Sequence, residues 1–197
     1  MVKLGINPYL AILAAFGIGA AVGLFNGYLV AFVGIPAFIV TLGGLTLWRG
    51  LAFESTGGFD MAGLPEPFPF IGNGELLGIP MPIIVMALFY GVMGFILSST
   101  KLGRYVYAIG SNEMGARQVG INIRWYKLGV YLVSGLSCAL AAIVLMGRMD
   151  SSSGKMAQMF ELDAIAAVIL GGTSLFGGRG SLWGSLLGAI LIGMIRN

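Results

Sequence analysis

Glu161 and Asp163 are a carboxylate pair at the edge of an apolar run, and paired carboxylates can divide acid and base work between them. Two residues apart on a helix, however, they face different ways. The better reading is a helix beginning at Ala164, with Asp163 ahead of it as a cap and as a complement to the positive end of the helix dipole. A substrate role for the pair is the weaker alternative. The run Gly171-Gly172-Thr173-Ser174-Leu175-Phe176-Gly177-Gly178-Arg179-Gly180 has the glycine content of a phosphate cradle. A nucleotide loop needs Gly-Lys-Ser/Thr opening a helix after a strand, whereas here Arg179 precedes Gly180 in an apolar setting. ATP binding is therefore not expected, and any driven process must draw its energy from another subunit or from an ion gradient. With no histidine and one cysteine, the usual zinc and haem ligands, a histidine-based triad and an internal disulfide are all excluded. Cys138, inside an apolar run, reads as a small buried hydrophobe. No enzyme constellation and no cofactor are expected.

A second stretch offers contact chemistry rather than catalysis. In Gly110-Ser111-Asn112-Glu113-Met114-Gly115-Ala116-Arg117-Gln118-Val119-Gly120-Ile121, Ser111 or Asn112 can cap a helix, and Glu113 complements its start. Gly120 can end it in the left-handed region, which leaves about two turns. Such a helix presents Met114, Val119 and Ile121 for docking, with Glu113 and Arg117 at i and i+4. On the residues alone, a docking surface and a solvated connector with an internal ion pair are equally good readings.

The elements that must carry these groups are set by composition. Of 197 residues 57% are hydrophobic and 10% charged, against roughly 25% charged in an ordinary soluble domain. Mean hydropathy is +0.93. So much apolar surface needs lipid as its solvent, and the fold class expected is an all-α, polytopic transmembrane bundle. The net charge of +3 is then to be read against membrane topology rather than against nucleic-acid phosphate, and no nucleic-acid partner is expected.

Forty-five uncharged residues lie between Lys3 and Arg49. As one helix they would reach about 68 Å, over twice the hydrocarbon thickness, so the helix must break. Gly34-Ile35-Pro36 is the place, because proline removes a donor and biases Ile35 out of the helical region. Spans are expected at about 9–33, 36–52, 80–99 and 128–147. The stretch 54–75, with Gly57-Gly58, Pro65, Pro67 and Pro69, reads as an ordered loop. The segments 164–178 and 180–196, uncharged up to Ile195, are short, about 22–24 Å as helices, and glycine interrupts the first. Short, broken apolar segments suit a transporter in which unwound backbone lines a cavity. Gly19, Gly23 and Gly27, and again Gly180, Gly184 and Gly188, recur every fourth residue and mark faces where helices pack closely. The two clearest spans, 80–99 and 128–147, hold no charged residue, which argues against a proton-driven carrier.

Charge orients the bundle. The 101–127 loop carries Lys101, Arg104, Arg117, Arg124 and Lys127 against Glu113, whereas 54–75 has Glu54, Asp60, Glu66 and Glu75 and no base. The first is expected in the cytoplasm and the second outside. The amino terminus, flanked only by Lys3, is then outside, an awkward start that implies an earlier span. The side on which Arg179 lies stays open.

LGRYVYAIGSNEMGARQVGI, from Leu102 to Ile121, resembles the cytoplasmic coupling region of bacterial ABC importer permeases for ribose, xylose and related monosaccharides. ELDAIAAVILGGTS from Glu161 with the following LFGGRGSLWGSLLGA, and NGYLVAFVGIPAFIVTLGG from Asn26, are similar to two further motifs of the same family, in family order. The resemblance covers nearly the whole chain. It implies one transmembrane permease domain over 1–197, incomplete at both ends because such permeases are longer. It also implies a paired permease subunit (a homodimer), a cytoplasmic ATPase subunit with 101–127 as its coupling loop, and an extracytoplasmic sugar-binding protein that largely sets selectivity. Carried over residue by residue, Asn112, Glu113, Ala116, Arg117, Gly120 and Ile121 would contact the ATPase. A neutral, hydroxyl-rich sugar needs uncharged hydrogen-bonding groups, for which Asn26, Thr41, Thr173 and Ser174 are the intramembrane candidates. Each has a plainer reading as a side chain satisfying a nearby backbone carbonyl or a neighbouring helix. A branched-chain amino acid permease, and a passive pore or scaffold without ATPase coupling, are the alternatives.

Overall fold

The computed structural model describes residues 7–196; Lys3, the flank of the first span, lies outside them. Asn7 opens helix α1 (Pro8–Tyr28) by accepting the Tyr9 N–H at 3.1 Å, and Pro8 fills the first helical position, where no N–H is required. The helix widens into a π turn over Leu29–Val33 and stops at Gly34, whose φ of 85° suits glycine. Gly34 N and Ile35 N both donate to Leu29 O, at 3.0 and 3.2 Å. Pro36 then caps α2 (Ala37–Thr56). There follow β1 (Met61–Ala62), α3 (Phe68–Asn73), β2 (Glu75–Leu76), β3 (Ile79–Pro80), α4 (Met81–Ser99), α5 (Lys101–Ser111) and α6 (Glu113–Gln118). The chain closes with α7 (Ile123–Met149), β4 (Ser151–Ser152), α8 (Phe160–Leu170) and α9 (Leu182–Arg196).

Four helical stretches, Pro8–Val33, Ala37–Thr56, Met81–Ser99 and Ile123–Met149, are long and apolar enough to cross a membrane. Leu13, Phe38, Leu88 and Phe95 on them are exposed, an arrangement that lipid accepts and water penalises. The protein is an all-α, multi-pass membrane bundle.

The chain forms two compact units, one of residues up to Ala87 with Lys127–Met156, the other of Leu88–Tyr126 with the residues from Ala157 on. In the first unit α1 packs on α7 through glycine. A Cβ at Gly19 would fall 2.6 Å from Gly135 O, one at Gly23 would strike Tyr131 O, and one at Gly27 would come within 2.9 Å of Tyr131 Cβ. The second signal for close packing is the polar cap on one end of α7. Asn73 Nδ2 donates to Gly147 O and Arg148 O at 3.0 and 3.2 Å, satisfying carbonyls that the helix end leaves open. Leu64 N donates to Asp150 Oδ1 at 2.9 Å, and Met61 and Ala62 pair antiparallel with Ser152 and Ser151. Beneath lie Leu64, Phe68 and Ile143, packed against Ile12, Phe16 and Met146. Segments 57–80 and 150–152 therefore share one side of the membrane.

In the second unit α8 and α9 form an antiparallel hairpin. Gly184 lies against Gly171 O and Gly188 against Ala167 O, approaches that a side chain would block, and Arg196 pairs with Asp163 at the open end.

Several boundaries differ from the sequence reading. The 54–75 loop surrenders both its ends: α2 runs on to Thr56, helped by Ser55 and Thr56 hydroxyls that bond back to Ala52 O, and α3 occupies 68–73. Pro69 breaks nothing in α3 because it stands in the first turn, where its missing N–H has no partner to lose. Much of the 101–127 loop is helix, since Thr100 caps α5 and α7 starts at Ile123, five residues before Leu128. The helix expected from Ala164 starts at Phe160 and ends at Leu170. Asp163 is thus not a cap; it lies inside the first turn with Glu161, where both still complement the dipole.

Candidate functional site

Two regions collect the candidate residues. The first is the α5–α6 corner of the second unit. Gly103 turns the chain sharply out of α4 because its bare Cα lies against Leu97 O, with Thr100 Oγ1 accepting from Gly103 N at 3.5 Å. At the far end of α5, Tyr107 Oη donates to Gly180 O at 3.2 Å, Ser111 Oγ donates to Gly178 O at 3.4 Å, and Gly110 abuts Gly178. The turn that joins α8 to α9 is thereby held against α5. That turn closes on itself through Ser174 N to Arg179 O, 2.9 Å, with left-handed glycines at 177 and 178, and leaves Phe176 98% exposed.

Asn112 caps α6, its Oδ1 accepting from Gly115 N at 2.9 Å. Gly120, φ 80°, ends the helix, and Ile121 N reaches back to Ala116 O at 3.1 Å. The six coupling candidates therefore divide by task. Asn112, Gly120 and the buried Ala116 shape the turn; Glu113 and Arg117 are exposed, 4.0 Å apart; Ile121 is half-buried. Met114 and Val119, each about three-quarters exposed, form the apolar part of the presented surface. An exposed ion pair of this length adds little stability, so the helix is held by its caps and by Ala116.

The second region is a groove of about 460 Å³ in the first unit, lined by Asn26, Thr41, Tyr131, Ser134 and Cys138 alongside Gly19, Gly23 and Gly135. It brings Asn26 and Thr41 together. Thr41 Oγ1 donates to Ala37 O at 3.0 Å, the backbone satisfaction that hydroxyls in apolar helices find locally. Thr173 and Ser174 belong to the other unit: Thr173 Oγ1 lies 3.3 Å from Ser185 Oγ, and Ser174 Oγ accepts from Phe176 N at 3.2 Å. Cys138 is exposed on the groove rather than buried, because its place on α7 falls on the side that lines the groove. Trp48, Tyr131 and Ser134 were not singled out from sequence. Their types are ordinary in spans, and only packing brings Tyr131 and Ser134 to the groove and Trp48 beside Asn26. Among the described residues, no three His, Cys, Asp or Glu side chains gather to hold a metal ion.

The profile of the family described as branched-chain amino acid transport system / permease component matches residues 1–197. The chain belongs to that family. A ribose import permease protein of Haemophilus influenzae is 41% identical to this permease-family chain over all of it and 62% of the relative. A ribose import permease protein of Bacillus subtilis is 42% identical, with the same two shares. A fructose import permease protein of Rhizobium meliloti is 36% identical over 98% of this chain and 56% of its own. The chain thus spans about six-tenths of the length of the relatives it matches. No solved structure matches it.

Proposed function

We propose that this chain is the membrane-spanning part of a permease that carries a monosaccharide of the ribose class into a bacterium across its inner membrane, as one subunit of an ABC importer. The observation that carries the reading is the end-to-end similarity to import permeases named for ribose and fructose. The family description mentions branched-chain amino acids. A zwitterion would want charges or helix ends at its site, and the groove offers uncharged groups instead.

In this reading the fuel is burned elsewhere. A cytoplasmic ATPase grips α6 through Glu113, Arg117, Met114 and Val119, while Asn112, Ala116, Gly120 and Ile121 hold the surface in shape. A second permease copy completes the pathway, and an extracytoplasmic binding protein delivers sugar to the side that carries 57–80. Asn26 and Thr41 lie along the sugar route; Thr173 and Ser174 act through the turn that braces α5. ATP hydrolysis by the assembled importer in proteoliposomes tests this. Ribose-loaded binding protein should accelerate it, and removal of residues 111–121 should abolish ATPase association. Lack of stimulation by any pentose or hexose contradicts the sugar reading, and unchanged association after the deletion favours a passive pore or scaffold.

A further inference from the structure

Asn26 on α1 and Trp48 on α2 end in polar atoms that are fully buried and unpartnered: Asn26 Oδ1, an acceptor, and Trp48 Nε1, a donor. Both turn toward Gly44. The position a Cβ would take on Gly44 lies 3.3 Å from Asn26 Oδ1, 3.5 Å from Trp48 Nε1 and 3.6 Å from Asn26 Nδ2. Gly44 is buried, whereas Gly43 and Gly50 on the same helix meet nothing within 4 Å. The indole is held in place by an edge-on contact with Phe25, centroids 5.8 Å apart.

A buried polar atom without a partner is costly, and here two lie beside one glycine. A donor and an acceptor beside the same bare glycine face are matched by an oxygen that accepts from one and donates to the other. Both groups are uncharged, and an uncharged donor beside an uncharged acceptor matches a neutral hydroxyl. With the Asn26 amide turned the other way, its Nδ2 and Trp48 Nε1 would both donate to that oxygen, whose two lone pairs accept them. A carbon on Gly44 would fill the space and return neither hydrogen bond.

We propose that Asn26, Trp48 and Gly44 form a binding site for a single neutral hydroxyl at membrane depth. Asn26 also lines the groove with Thr41, so the O–H can come from a resident water or from a sugar that has entered. The second source rests on the function proposed above; the site itself does not.

Ultraviolet resonance Raman spectroscopy of the indole N–H, on the protein in lipid nanodiscs, reads the site directly. Subtracting the spectrum of Trp48→Phe removes Trp125 and Trp183. A hydrogen-bonded Trp48 N–H present without sugar and unmoved by ribose assigns the site to water. A bonded signature that appears only with ribose assigns it to the sugar. Either must vanish in Gly44→Ala. A free Trp48 N–H both with and without ribose overturns the proposal, and so does a bonded signature that survives Gly44→Ala. Neither result depends on transport, so failure of the site and failure of the functional reading are told apart.

Discussion

Asn26, Thr41, Thr173 and Ser174 share one qualification for a sugar route, an uncharged polar group in an apolar segment, yet the structure gives them different freedom. Thr41 returns its proton to Ala37 O, and Thr173 meets Ser185, whereas Asn26 Oδ1 is left open. Replacing Asn26 with leucine should therefore cut ribose uptake about tenfold, the worth of one hydrogen bond of roughly 1–1.5 kcal/mol, and Thr41→Val should change it less than about twofold. Equal effects in an uptake assay would contradict this ranking. Arg117 makes the complementary case. Exposed beside Glu113, it contributes little to folding, so Arg117→Ala should leave thermal stability within about 0.5 kcal/mol while sharply reducing sugar-stimulated ATP hydrolysis. A loss of stability of the same order as the loss of coupling would make it a structural residue instead.

At the scale of elements, two devices position these groups: caps on short helices and glycine seams between long ones. Asn112→Ala removes the α6 cap and should cost about 1 kcal/mol locally, seen as faster amide exchange over 113–118 and restored by Asn112→Asp. Gly23→Ala drives a methyl into Tyr131 O and should destabilise the α1–α7 pair by about 1–3 kcal/mol in a detergent unfolding assay. Gly17→Ala, with nothing within 4 Å, should be neutral. These elements differ in how plainly they can be read from sequence. The corner at Gly34–Pro36 and the cap at Asn112 are local, since one or two residues carry the whole signal. The fit of Gly72 against Gly147 joins segments 75 residues apart, and nothing near either glycine announces it. Helix α5 is not legible in the sequence because its charges look the same on a solvated connector and on the polar side of a surface helix. Trp48 is illegible for a related reason: an indole in a span is ordinary until an amide from the neighbouring helix comes beside it.

For the whole molecule, what matters is which surface faces which compartment. The pairing of β1 with β4 puts 57–80 and 150–152 on one side of the first unit. The turn at Gly177–Gly180 lies against Gly110 and Ser111, so Arg179 joins the basic side with Arg104 and Arg117, a point the sequence left open. In the function proposed above the basic side is the cytoplasmic one, and the acidic side, with Leu77 at the tip of the β2–β3 turn, is the exterior one. The most direct test replaces Cys138 with alanine and introduces single cysteines by Arg117→Cys, Arg179→Cys and Leu77→Cys for labelling with a membrane-impermeant maleimide. In right-side-out vesicles only Leu77→Cys should react, and in inverted vesicles only Arg117→Cys and Arg179→Cys. Labelling of Arg117→Cys from the exterior alone would contradict an importer driven from its basic face.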